Sequence, residues 1–208
     1  KPLYIGKSIH PKSRLKQHLQ QAKEARSKQK EFVNLAKWIR FYQVESEIES
    51  LLLEAKLIRL HQPFYNSMSK DDKSSTYIMV GNEDFPVVSL IRGGEIENFR
   101  SVYGPFRTRY EAEMVLKVAR NIFKFCQNPP NNGVKRACFY YHIGKCDGAC
   151  MGLVSKTKYR SKIGYLKRFL NGSSSGLLVS LEKKIRRLAK NEKYEEALAR
   201  FDRHIKNY

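Results

Sequence analysis

Two capping boxes constrain this chain more than any other feature. Ser46-Glu47-Ile48-Glu49 and Thr108-Arg109-Tyr110-Glu111 each set a hydroxyl three residues before a glutamate. In that pattern the side chains and backbone N–H groups of a helix start satisfy one another. An amphipathic run follows each box: Ile48, Leu51, Leu52, Ala55 and Ile58, stopped by Pro63, and then Ala112, Val115, Leu116, Ala119, Ile122 and Phe123. Between the two runs, residues 76–80 and 87–91 read as short strands joined by a loop with Gly81, Asn82 and Pro86. Helices and strands in such blocks predict an α+β fold.

The flanking segments are read the same way. Residues 3–6 form a strand run that ends at Gly6. Pro11 suits a first helical turn, and Leu15, His18, Leu19 and Ala22 continue at helical spacing. Residues 20–36 are charged and weakly periodic, a helix extension or an insertion. Trp38, Arg40, Tyr42 and Val44 alternate with Ile39, Phe41 and Gln43, which predicts a second strand. Residues 69–74 form a polar loop, residues 103–106 a turn, and residues 126–150 a cysteine-rich loop region. Ser155 opens a helix that ends near Asn171-Gly172. Ser173-Ser174-Ser175-Gly176 is a short linker, and two helices with a break near Asn191 complete the sequence. The opening Lys1-Pro2-Leu3-Tyr4-Ile5-Gly6 has no start signal before its strand run, so the sequence is expected to be a piece of a longer one.

Charge narrows the partner. Forty Lys and Arg stand against twenty Asp and Glu, a formal charge of +20 in 208 residues. Nucleic acid is the commonest partner for such an excess, and a merely soluble basic protein is the bland alternative. No apolar run is long enough to span a bilayer and no signal-peptide pattern is present, so a cytoplasmic protein with reduced thiols and no membrane partner is expected.

Tyr4-Ile5-Gly6-Lys7 on a strand and turn, with Arg14 and His18 four apart on one helical face, would gather a phenol, two cations and an imidazole. Phosphodiester cleavage uses such a set: cations for the charge developing on phosphorus and a base for water. A surface helix of scattered charges is the competing reading. Glu54, flanked by Leu51-Leu52-Leu53 and Ala55, is at risk of burial, which is costly unless it is paired or binds a metal. A single carboxylate suffices for Mg²⁺ when water and phosphate complete the shell. A helix-surface glutamate paired with Lys or Arg is the alternative.

Together, Tyr4-Ile5-Gly6-Lys7, Arg14, His18, Leu51-Leu52-Leu53-Glu54-Ala55 and Pro63-Phe64-Tyr65-Asn66 resemble the GIY-YIG nuclease domain. With Lys70-Asp71-Asp72-Lys73-Ser74, Phe85-Pro86, Tyr103-Gly104-Pro105-Phe106, the cysteines and the C-terminal helices, the resemblance narrows to the UvrC family of excision nuclease subunits. It implies a small mixed GIY-YIG sheet flanked by helices over residues 1–75. A linking α/β region with a four-cysteine site would follow over 76–172, and a helical hairpin over 173–208.

The resemblance implies a role for each matched residue. Tyr4 positions or activates the attacking water, with Lys7 beside it. Arg14 binds phosphate, His18 lies near the nucleophile, Glu54 ligates a divalent Mg or Mn ion, and Asn66 closes the site. The implied activity is a metal-dependent cut on the 3′ side of a lesion in double-stranded DNA. A family strand carrying Gly-Ile/Val-Tyr, and with it one active-site tyrosine, would precede residue 1, so residues 1–208 alone are not expected to be active. A non-catalytic DNA- and partner-binding module of the same family is the runner-up. A stand-alone GIY-YIG enzyme fits the cysteines and the hairpin less well.

Cys126, Cys138, Cys146 and Cys150 follow the spacing C-x11-C-x7-C-x3-C. Four thiols in a short loop-rich segment favour a metal site over disulfides, and the spacing is not that of a Cys-x2-Cys zinc ribbon. Cys₄ sites hold Fe–S clusters or zinc. The resemblance implies a [4Fe-4S] cluster, with zinc the rival and buried thiols the bland outcome. Leu177, Leu181, Ile185 and Leu188, then Tyr194, Ala197, Leu198, Phe201 and Ile205, line two helical faces. Tyr194-Glu195-Glu196-Ala197-Leu198-Ala199 before Asp202 resembles the UVR motif, which implies UvrB as partner of residues 177–208. Phe201 stands where the family often has Arg. Lys12 and Lys16, with Lys23, Arg26, Lys28 and Lys30, give the early helices a cationic surface, and Lys73 joins them as a DNA contact. Such contacts go to phosphates and read no sequence.

Overall fold

A computed structural model describes residues 1–23, 28–44, 46–67, 75–126, 137 and 139–172. Cys138, Lys73 and the expected hairpin at 177–208 lie outside the described residues.

Both capping residues start helices as predicted. The Ser46 hydroxyl accepts the Glu49 N–H (3.1 Å) ahead of the helix at Glu47–His61. Thr108 and Glu111 close a full box ahead of Arg109–Phe123. In chain order the helices are α1 (Pro11–Lys23), α2 (Lys28–Leu35), α3 (Glu47–His61), α4 (Phe64–Ser67), α5 (Arg109–Phe123), α6 (Phe139–His142) and α7 (Lys156–Leu170). α3 ends at Gln62, which turns left-handed (φ 43°) just before Pro63, a residue that cannot continue the helical ladder. Ser155 caps α7.

The strands β1 (Thr76–Val80), β2 (Val88–Arg92) and β3 (Val102–Phe106) form an antiparallel sheet in the order β2-β1-β3. Thr76, Ile78 and Val80 of β1 are buried while Tyr77 and Met79 alternate outward. The register sets Ile78 opposite Leu90 and Val80 opposite Val88, so one face is apolar across two strands. Leu51, Leu52 and Ala55 of α3 and Ala112, Val115, Ala119 and Phe123 of α5 belong to the same core as that face. Ile163, Leu166, Phe169 and Leu170 add the buried side of α7. Each fully buried side chain of this kind contributes about 1.5–3 kcal/mol relative to exposure. Residues 103–106, expected as a turn, lie in β3; at Gly104 (φ 145°) an added Cβ would lie 2.7 Å from the Tyr77 ring, so the strand requires glycine there. The class is α+β, a three-stranded sheet flanked by helices.

Two expected strands are corrected. Neither residues 3–6 nor residues 38–44 lie in a ladder among the described residues. In the second segment the alternation is real: Arg40 sits over the Trp38 ring at 5.5 Å and donates to the Tyr42 hydroxyl at 3.5 Å, as i, i+2 neighbours in extended chain do. Both sides are nevertheless exposed, Trp38 by 63% and Phe41 by 65%, so no covered face selects a register. No helix among the described residues is long and apolar enough to cross a membrane.

Candidate incision pocket and cysteine site

The pocket is built around the turn at Gly6. Residues 3–6 have no partner strand among the described residues, and other groups take several of their backbone bonds. Tyr65 N–H donates to Leu3 O (3.1 Å). The Asn66 amide brackets Ile5, its Oδ1 accepting the Ile5 N–H (2.8 Å) and its Nδ2 donating to the Ile5 carbonyl (2.7 Å). One side chain thus supplies the two-bond exchange of an antiparallel neighbour. Asn66 thereby holds the segment that carries Tyr4 and Gly6.

Gly6 is required by close approach. A Cβ there would lie 2.8 Å from the Tyr4 hydroxyl, so the phenol folds across the glycine. The Tyr4 ring meets His18 of α1 edge-on at 5.4 Å, and Phe32 of α2 closes on Tyr4 and His18 at 5.5 and 5.7 Å. Both His18 ring nitrogens are buried without a hydrogen-bond partner. Burial, and then the Arg14 cation one turn before it, push the imidazole below its ordinary pKa. His18 is therefore neutral at pH 7, with a basic nitrogen to offer. Arg14 itself is half-buried, donates to Gln17 Oε1 at 3.4 Å and acts on the pocket through His18.

α3 brings Glu54 to the other side of the turn. Glu54 is only 6% exposed, and Arg107 and Lys7, the residue after Gly6, are the cations that act on it. Burial pushes this carboxyl above the usual carboxylate range. Arg107 and Lys7 pull against that shift, and Glu111 adds to it. Lys7 Nζ reaches Glu111 Oε1 at 3.2 Å and Glu47 Oε1 at 3.6 Å, tying the turn to the starts of α5 and α3. Glu111 is committed elsewhere too, since its Oε2 accepts from Arg107 and Thr108 N–H at 3.0 and 3.3 Å. Glu54 is thus a desolvated carboxylate that lacks a full complement of donors, a setting in which a cation is welcome. Among the described residues no group of three or more His, Cys, Asp or Glu is placed so that it could hold a metal ion. The donor set suits a hydrated Mg²⁺ or Mn²⁺ held through one carboxylate. Lys12 and Lys16 lie exposed on α1.

The second centre lies past the other end of α5. Cys126 and Cys146 are 1% and 4% exposed, Cys150 is half-buried, and none of the three is in a disulfide. Cys146 Sγ accepts the Gly148 N–H at 3.4 Å, a bond that favours a thiolate. Tyr159, fully buried on α7, accepts the Cys126 N–H (2.9 Å) and donates to Pro86 O (3.0 Å). Arg120 is 7% exposed, its guanidinium held over the Phe125 ring at 4.2 Å and the Tyr140 ring at 4.3 Å. It donates to Phe125 O at 3.1 Å and feels both Cys146 and Cys126 electrostatically. The buried Arg120 charge and the N–H aimed at sulfur suit thiolates, but among the described residues Cys126, Cys146 and Cys150 do not form a group of three that could hold a metal ion.

Known proteins match along this same division. The family model for the UvrC-like GIY-YIG domain matches residues 1–67, and that for the UvrC/Cho excinuclease middle domain matches residues 75–169. The chain belongs to the UvrC family. UvrABC system protein C of Acetivibrio thermocellus is 33% identical over 200 residues, covering 94% of this chain and 32% of the relative. The proteins of that name from Methanosarcina acetivorans and Methanospirillum hungatei are each 32% identical, covering 95% and 97% of this chain and 37% and 38% of their own lengths. The chain spans about a third of the length of these curated relatives. No solved structure matches it.

Within the UvrC-family chain, sequence reasoning missed two features of these centres. Glu111 appeared only as a helix cap, yet its second oxygen meets Lys7. The other is the burial of Arg120. Its one available signal was position, since it follows Ala119 and lies four residues after Leu116 on the apolar side of α5.

Proposed function

We propose that this chain is the incision-bearing N-terminal portion of an excision-repair endonuclease subunit, which hydrolyses one phosphodiester on the 3′ side of a lesion in double-stranded DNA. The observation that carries the reading is the buried Glu54 carboxylate, acted on by the Arg107 and Lys7 cations, beside the turn where the Tyr4 phenol lies over Gly6.

The parts then act as follows. Glu54 would hold the divalent ion, Mg²⁺ or Mn²⁺, which when bound supplies Lewis-acid polarisation and a charge clamp. Arg14 is the phosphate ligand, because its planar fork matches two phosphate oxygens. His18, neutral and with unpartnered nitrogens, takes the proton of the attacking water, and Tyr4 orients that water beside it. Lys7 adds positive charge at the turn. Asn66 acts through Ile5, by holding the backbone on which Tyr4 and Gly6 are placed. Lys12, Lys16 and Lys73 contact flanking phosphates. The arrangement divides into a nuclease domain at 1–75, a cysteine-bearing region at 76–172 and a partner-binding hairpin at 173–208, with UvrB the partner of residues 177–208. Cys126, Cys146 and Cys150, with Cys138, would hold a [4Fe-4S] cluster, zinc being the rival. Anaerobic absorption spectra and metal analysis separate the two.

The test is Mg²⁺-dependent nicking of lesion-bearing DNA by the chain extended upstream of Lys1, against its Glu54→Ala variant. Loss of nicking by at least about 100-fold is expected for removal of a sole protein ligand to the metal. Equal nicking by both ends the assignment of Glu54. No nicking by either leaves a DNA-binding module.

A further inference from the structure

Phe32 is where α2 meets the incision pocket. Its ring packs against three others, each from a different part of the chain: Tyr4 at 5.5 Å, His18 of α1 at 5.7 Å and Tyr65 of α4 at 5.5 Å. Tyr4 and His18 are themselves 5.4 Å apart, so the centroids of Tyr4, His18 and Phe32 form a nearly equilateral triangle. Phe32 meets His18 edge-on at 75°, and Tyr4 meets it edge-on at 66°. Edge-to-face contacts are directional, so two rings of such a triangle fix the third.

No described residue of α2 belongs to the hydrophobic core. Phe32 and Val33 are half-buried, while Glu31, Asn34 and Leu35 are exposed, Leu35 by 53%. The Phe32 ring therefore packs on the pocket and not on the core. The same contact accounts for His18. Both its ring nitrogens are buried with no hydrogen-bond partner, a state that lasts only where water is shut out. Among the described residues, the rings against the imidazole are those of Tyr4 and Phe32. Arg14, on the same helix as His18, is the charged group that acts on the imidazole, and Tyr4 faces it from the turn. Glu31, beside Phe32 on α2, acts on Tyr65.

We propose that Phe32 is a positioning residue of the incision pocket, whose ring keeps bulk water off His18 and sets the angle at which the imidazole and the Tyr4 phenol meet. The inference rests on the nuclease reading for what His18 and Tyr4 do. A ring that merely anchored α2 would leave the titration of the imidazole alone. A wall against water would not, because its removal restores hydration to the imidazolium and relieves the lowering that burial causes.

The experiment follows the imidazoles of the full chain by NMR of Cε1-labelled histidine against pH, without DNA or metal. A His18→Gln variant identifies the His18 signal among the five histidines. In the parent, His18 should titrate below its ordinary value of 6.5. In Phe32→Ala the midpoint should move up towards that value and stop short of it, since Arg14 remains. Phe32→Leu, a shorter apolar wall, should move it the same way by less. Leu35→Ala, on the exposed side of the same helix, should leave it in place. An unmoved His18 in Phe32→Ala, or an equal shift in Leu35→Ala, overturns the proposal. Should Phe32→Ala lose the far-UV circular dichroism of the parent, Phe32→Leu decides alone, and an unmoved His18 there overturns it as well. In the chain extended upstream of Lys1, Phe32→Ala should slow nicking by about 100-fold, with DNA affinity kept because no cation is lost. The acid limb of the nicking rate should move up in pH with the His18 midpoint, since the base must be neutral. A limb that stays while His18 moves removes His18 as the base yet confirms the wall, so failure of the incision reading and failure of the Phe32 role are distinguishable.

Discussion

Tyr159→Phe isolates what holds the cysteine region to the sheet. The Tyr159 hydroxyl is buried and makes two bonds at once, accepting from Cys126 N–H at 2.9 Å and donating to Pro86 O at 3.0 Å. Both partners are backbone groups, and Phe125 and Cys126 around the first are 0% and 1% exposed, so water cannot replace the hydroxyl. The ring keeps its volume and its contact with Phe85 at 5.5 Å, which removes any cavity contribution. What remains is two unsatisfied buried groups at about 2 kcal/mol each, or about 4 kcal/mol together. For a chain of this size that lowers Tm by roughly 8–16 °C. Urea denaturation followed by far-UV circular dichroism should show the midpoint falling with the slope unchanged. Tyr110→Phe is the control, since that ring is 69% exposed and should stay within about 0.5 kcal/mol of the parent. A Tyr159→Phe protein as stable as the Tyr110→Phe protein would refute the two-bond account.

The other expectations concern the pocket. Glu54→Gln should raise stability at pH 7 by about 1 kcal/mol while abolishing incision, because a buried charge is removed from a functional site. Burial raises the folded-state pKa of Glu54, so its ionised form opposes folding above that pKa. The gain from Gln must therefore shrink as pH falls through the folded value and vanish below the unfolded one, about 4.3; a gain independent of pH would contradict this. Gly6→Ala forces the Tyr4 ring aside and should slow incision by about 100-fold with little loss of DNA affinity, a split that steady-state kinetics and a binding titration would resolve.

Legibility of this chain from its sequence divides by range. The helix starts at Ser46, Thr108 and Ser155 were readable because a cap is a contact over three residues, and the stop at Pro63 because proline acts on its own turn. β1 and β2 were readable from their apolar runs. The alternation at 38–44 was just as visible, but alternation only says that two faces differ. A ladder needs a neighbour, and neighbours are not local. Residues 3–6 make the point more sharply, since their backbone is satisfied by an amide 61 residues away that no pattern near Ile5 announces.

The same distinction explains Glu54 and Arg120. Glu54 sits among Leu51, Leu52 and Ala55, so its burial follows from its own helix, and the cost of burial pointed to a cation before any coordinates did. Arg120 is buried by rings at 125 and 140 and by thiols at 126 and 146, all supplied by chain that folds back over it. Nothing within one turn of Arg120 encodes that. α5 consequently does more than its amphipathic pattern implied: its first turn caps itself through Glu111 and binds Lys7, and its last full turn presents a buried cation to two thiols. One helix thus meets Lys7 with its first turn and places Arg120 near Cys126 and Cys146 with its last, although the sequence motifs on either side of it lie more than seventy residues apart.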